Sequence, residues 1–140
     1  MLPTTFPTPD LFLPGHGEPV LRWGVLGPGK IASAFVDALR RNTRQCPFAV
    51  ASRSRERAQT FADTWAMEHA YDSYEALVRH PDVDIVYIAT PHSEHLEHGL
   101  LALRAGKHVL IEKPMTTCAQ DARILVQEAR ARGLFLMEAM

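Results

Sequence analysis

The stretch RWGVLGPGKIASAFVDALR, residues 22–40, constrains the fold of this chain more than any other. It opens with an apolar run from Trp23 to Leu26. Gly27 and Gly29 break that run, and Ile31, Ala32, Phe35, Ala38 and Leu39 then follow at helical spacing. A strand, a glycine turn and a helix in that order begin a Rossmann unit. Gly27 permits the tight turn, Gly29 leaves the backbone open to a pyrophosphate, and Ala32 lets the helix pack close to the strand. The unpaired N–H groups and partial positive charge of the helix start then face the anion. Gly27, Pro28, Gly29, Lys30 and Ile31 are therefore the candidate phosphate loop. Alone, a G-x-G-x-x-A pattern fits any loop with two turn glycines; the strand before it and the helix after it give it weight.

The same alternation continues. Phe48–Ala51 reads as a second strand, with Pro47 closing the connection before it, and residues 58–67 as a helix. A short third strand is expected in HAYDSY, then a helix over 74–79 capped by Ser73. Residues 83–89, VDIVYIA, are nearly all apolar, as in a strand buried on both faces. Ser93 is expected to cap a helix that Gly106 ends. His108–Ile111 is another buried strand, and Pro114 forces its exit. A long helix over about 118–132 presents Ala122, Leu125, Val126 and Ala129 to the sheet, and LFLM begins a last strand. Strands alternating with helices call for a parallel sheet covered on both faces. The expected fold class is α/β, a Rossmann-type doubly wound parallel sheet over residues 20–140. Residues 1–19, with five prolines and two glycines, read as an extended arm in which Leu11, Phe12 and Leu13 could dock. A chain of 140 residues suffices for one such core and not for two.

Composition closes off other classes. A net charge of -1 with no basic stripe argues against nucleic acid. No apolar run reaches the roughly 18 residues of a membrane span, and no basic segment followed by an apolar core marks a secretory signal. Cys46 and Cys118 lack metal or redox spacing and read as free thiols. The cytoplasm is the expected compartment.

Two further clusters carry chemistry. In a Rossmann domain the end of the second strand meets the adenosine ribose, and an acid about 20 residues past the glycines selects NAD. Here that place holds Ser52, Arg53, Ser54 and Arg55, followed by Arg57. Arginines and hydroxyls welcome a 2′-phosphate that an acid would repel, so the reading is NADP(H) ahead of NAD(H). Glu112-Lys113-Pro114 also lies at the carboxyl end of a buried strand. A lysine beside a nicotinamide could polarise a carbonyl or carry a hydroxyl proton. A cis proline would aim it into the cleft. His92, His95 and His98 are three apart and invite a metal. On a helix the first and third of these diverge, however, and no further ligand completes a set. Thr90, Pro91 and His92 are better placed as the ligand-binding end of a central strand.

Together these motifs resemble the Gfo/Idh/MocA oxidoreductase family. The resemblance covers about residues 21–140 through GPGKIA at 27–32, VYIATPHSEH at 86–95, AGKHVLIEKP at 105–114 and EARARGLFLMEAM at 128–140. RWGVLGPGKIA, ASRSRERA and FLMEAM look most like the branch with dimeric dihydrodiol dehydrogenase and NADP-dependent D-xylose dehydrogenase. The resemblance implies that the glycine turn binds pyrophosphate and that Ser52 and Arg53 hold the adenosine end. It also implies that Thr90, Pro91 and His95 line the nicotinamide side. Glu112 and Lys113 would hold the nicotinamide ribose and the reacting hydroxyl, with Lys113 as the catalytic residue. Family members exchange hydride with a CH–OH group of a sugar or diol and continue into a second domain that supplies most substrate contacts. The 140 residues are thus expected to bind NADP(H) with little or no turnover. An exposed sheet edge near Met140 would favour homo-oligomers. A second reading keeps the NADP(H) site but assigns it to a non-catalytic regulatory or assembly module; Lys113 is the residue that counts against it.

Overall fold

A helix separates each strand of this chain from the next, so hydrogen-bonded neighbours are joined by crossovers and the sheet is parallel. The computed structural model describes residues 17–140, so Leu11, Phe12 and Leu13 of the expected arm lie outside the described residues. The elements are β1 (Arg22–Leu26), α1 (Lys30–Asn42), β2 (Cys46–Ala51), α2 (Arg55–Trp65), β3 (His69–Tyr71) and α3 (Tyr74–Arg79). They continue with β4 (Ile85–Ile88), α4 (His95–Arg104), β5 (His108–Glu112), α5 (Ala119–Arg132) and β6 (Leu136–Ala139). The six strands lie in the order β3-β2-β1-β4-β5-β6, every neighbouring pair parallel. The doubly wound fold is as expected, with its switch point between β1 and β4, where Rossmann ligands bind.

Two apolar layers sandwich the sheet. Leu26, Val86, Ile88, Val109 and Ile111 meet Leu77, Leu103 and Leu125 from α3, α4 and α5. On the other face, Val25, Val50 and Tyr87 meet Val36 of α1 and Phe61 of α2. The α1 stripe is Ala32, Val36 and Leu39. Ile31 and Ala38, expected on that stripe, are exposed, because a 3.6-residue period carries them off the line through 32, 36 and 39. Phe135, just before β6, and Met137 within it are about half exposed, at 54% and 52%, at the edge of the sheet.

Four boundaries differ from expectation. Pro47 does not close a connection but lies inside β2, beside a register shift that sets Trp23 against Pro47 and Gly24 against Ala49. A bulge is where a strand tolerates proline. Helix α2 begins at Arg55 rather than Ala58, because the Ser54 side chain accepts from the Arg57 N–H and caps it early. Val83 is buried but precedes β4, which ends at Ile88. Ser93 caps nothing; it sits in a single 3-10 turn, His92–Glu94, that leads into α4. Ser73 does cap α3, accepting from the Ala76 N–H at 3.2 Å. At the start of the described chain, the Pro19 carbonyl accepts from Gln45 Nε2 at 2.8 Å, which ties that end to the body.

Candidate functional site

The carboxyl ends of β1, β2, β4 and β5 bring the sequence motifs to one edge of the sheet. The glycine turn is set by three bonds: the Gly27 N–H donates to Ala51 O, the Gly29 N–H to Gly27 O, and the Ser33 N–H to Gly29 O. Gly27 has φ +90°, and a Cβ there would lie 2.9 Å from the Ala89 carbonyl oxygen. Gly29 caps α1, and a Cβ there would meet nothing within 4 Å. The space over Gly29 is therefore open to a ligand. The first turn of α1 contains no acid, so its free N–H groups present an uncompensated positive end.

Beside this turn, Ser52 is buried and Arg53 is exposed. The Ser54 N–H donates to Ser52 Oγ at 3.2 Å, and Ser54 itself caps α2. Part of the hydroxyl capacity expected to meet a phosphate thus shapes the loop instead. Arg53 and Arg57 remain as the cations of this corner. The glycine turn, Ser52–Arg53, Arg57 and Thr90–Pro91 line a cavity of about 340 Å3. Ile31, Thr90, His92, Glu112 and Lys113 line another of about 250 Å3. A third, of about 590 Å3, continues past Arg53 to Tyr74, Glu94 and His98. Arg53 and Tyr74 belong to both the first and the third, and Ala89 and Thr90 to both the first and the second. The result is one line of cavities from α3 to Lys113.

The histidines divide. His92 is exposed at the cavity, whereas His95 is fully buried. Its Nδ1 lies 2.9 Å from Pro114 O and its Nε2 2.9 Å from Thr90 O. His95 therefore reaches the site through two backbone carbonyls, and its ring does not line the cavity. His98 Nδ1 pairs with Thr90 Oγ1 at 2.9 Å, and its Nε2 lies 3.8 Å from Glu94. Burial pushes the His98 ring below the usual histidine range, against the pull of Glu94 and Glu97. Among the described residues, no group of three or more His, Cys, Asp or Glu stands where it could hold a metal ion. No helix among them is long and apolar enough to cross a membrane.

At the far end, Lys113 is exposed and the Lys113-Pro114 bond is cis. Glu112 accepts a hydrogen bond from the hydroxyl of the buried Tyr87 at 2.6 Å. Burial raises the Tyr87 hydroxyl far above the ordinary tyrosine range, and the bond to Glu112 and its charge add to that, so Tyr87 is a fixed donor. Tyr74, Tyr87, Glu94 and Glu138 were not singled out in the sequence, and His98 stood out there only as one of three evenly spaced histidines. Glu94 Oε1 lies 3.8 Å from Arg53, and Glu138 accepts from the Met115 N–H at 2.6 Å. The buried polar groups among them carried one signal, a polar atom inside an otherwise apolar strand, which is clearest at Tyr87 in IVYI.

Residues 21–140 match a family described as an oxidoreductase family of NAD-binding Rossmann fold. Trans-1,2-dihydrobenzene-1,2-diol dehydrogenase of Bos taurus is 48% identical over 123 residues, covering 86% of this chain and 36% of that protein. D-xylose 1-dehydrogenase (NADP(+)) of Hypocrea jecorina is 45% identical over 137 residues, covering 89% of this chain and 35% of that protein. Among solved structures, the 3-ketoreductase KijD10 from Actinomadura kijaniata, in complex with NADP, superposes with a TM-score of 0.82 at 41% identity. That match covers 86% of this chain and 38% of the other. The chain thus spans about a third of the length of the curated relatives it matches.

Proposed function

The chain belongs to the Gfo/Idh/MocA oxidoreductase family, and on that premise we propose that it holds NADP(H) for hydride exchange with a CH–OH group of a sugar or diol. One observation carries the reading: the open glycine turn, the basic Ser52–Arg53 corner and the Glu112–Lys113 turn all border one line of cavities. That arrangement suits a long ligand with a phosphate in the middle, an anionic group at one end and a reacting group at the other. NADP-binding relatives add weight to the choice of the phosphorylated dinucleotide.

In this reading the nicotinamide ring, when bound, supplies the hydride acceptor or donor. The rest falls to the chain. Lys30 and Ile31, at the α1 start, and the backbone of Gly27, Pro28 and Gly29 hold the pyrophosphate. Arg53 and Arg57 pair with the 2′-phosphate, and Ser52 shapes the loop under it. Thr90, Pro91 and His92 form the floor between the two halves, and buried His95 supports that floor from below. Glu112, its carboxylate fixed by Tyr87, accepts from a ribose hydroxyl. Lys113 Nζ meets the oxygen of the reacting carbon and holds or moves its proton. Lys113 is exposed, so water is not excluded there, and the 140-residue chain is expected to bind cofactor without steady turnover of xylose or a dihydrodiol. The half-exposed Phe135 and Met137 at the β6 edge support self-association of the chain, which sedimentation over a dilution series would read.

Titrating NADPH and NADH against the chain tests the reading. NADPH is expected to bind more tightly. Arg53→Ala is expected to weaken NADPH by about ten- to a hundredfold, the worth of a lost charge-assisted pair, while changing NADH by less than about twofold. Equal affinities would overturn the NADP(H) assignment, and no binding of either would overturn the cofactor site.

A further inference from the structure

Lys113 sits on a turn that leaves the sheet after β5. Three buried or half-buried side chains from three other elements reach it. From β4, the Tyr87 hydroxyl donates to Glu112 Oε1 at 2.6 Å. From β6, Glu138 Oε1 accepts the Met115 N–H at 2.6 Å. From the first turn of α4, His95 lies 2.9 Å from both Pro114 O and Thr90 O. Both of those partners are carbonyls and can only accept. Each ring nitrogen thus faces a carbonyl oxygen, one from the turn and one from Thr90. Thr90 is held again by His98 at its hydroxyl, so the floor and the turn share one support.

We propose that Tyr87, His95 and Glu138 are positioning residues that cradle the Glu112–Met115 turn, so that Glu112 and Lys113 meet the nicotinamide end of the cofactor already in place. The argument is preorganisation: an exposed lysine on a loose turn must be ordered when the ligand arrives, and that cost is deducted from binding. The inference rests on the assignment of Lys113 to the nicotinamide end.

The test separates the two halves of the ligand. NADPH and adenosine 2′,5′-bisphosphate, which has only the adenosine half, are titrated against the 140-residue chain and its Tyr87→Phe, Glu138→Ala, Glu138→Gln and His95→Asn variants. Tyr87→Phe, Glu138→Ala and His95→Asn are expected to weaken NADPH about five- to tenfold, the worth of one polar contact. The bisphosphate is expected to change by less than about twofold. Glu138→Gln keeps a carbonyl acceptor and is expected to stay near wild type. Equal losses for both ligands, or no loss of NADPH, would overturn the cradle. If His95→Asn does not fold, the Tyr87 and Glu138 variants carry the test. If the bisphosphate fails to bind the wild-type chain, the NADP(H) reading falls instead. Amide exchange then decides the cradle without any ligand: Tyr87→Phe is expected to speed exchange at the Met115 N–H, and unchanged exchange would overturn it.

Discussion

Gly27 and Gly29 look alike in the sequence and do different work. Gly27 combines φ +90° with the Ala89 carbonyl oxygen 2.9 Å from where a Cβ would stand. Gly27→Ala is therefore expected to cost about 2 kcal/mol or more of folding stability, read as a shifted urea midpoint. Gly29 has an ordinary extended backbone and open space. Gly29→Ala is expected to cost about 1 kcal/mol or less, the loss of a tolerable helix cap, while sharply weakening NADPH, because the new methyl stands where the pyrophosphate would approach. The turn at Gly27 was legible from its place just after a strand. Ser54 was not so legible: its hydroxyl caps α2, and nothing in SRSRER distinguishes a capping serine from a ligand-binding one until the helix start is known.

At the scale of elements, α4 shows how evenly spaced residues of one type divide between solvent and core. Three histidines three residues apart suggested a common ligand, but the 3-10 turn before α4 leaves His92 in solvent and sends His95 and His98 inward to the Thr90 backbone and hydroxyl. The buried His98 resists protonation, whereas in the unfolded chain it takes a proton at about pH 6.5. Its contribution to stability is complete above that pH and is lost as pH falls toward its lower folded value. Wild type is accordingly expected to lose more stability than His98→Gln between pH 7.5 and pH 5.5, compared by urea unfolding at each. Element types followed from periodicity. Their starts did not always, because the Ser54 cap is a polar bond to Arg57 that the apolar period does not register, and the bulge that admits Pro47 depends on pairing with β1.

For the whole molecule, cofactor and folding are linked. A ligand bound only by the folded chain stabilises it by about 2.7 kcal/mol at a hundred times its Kd. In a domain of this size that corresponds to a rise in Tm of roughly 10 °C. NADPH at that excess is expected to produce it, and NADH at the same concentration a smaller rise, measured by thermal unfolding followed by circular dichroism. The doubly wound fold, the glycine turn, the basic corner and the Glu112-Lys113-Pro114 turn all follow from local patterns of apolar period, glycine and charge, which is why the chain alone determined them. Which groups hold that turn was decided only in three dimensions. Tyr87 and Glu112 are 25 residues apart, His95 and Pro114 are 19 apart, and Met115 and Glu138 are 23 apart. Such contacts depend on strand order and register, with β4, β5 and β6 lying side by side, and no local pattern encodes which side chains meet once the sheet is assembled.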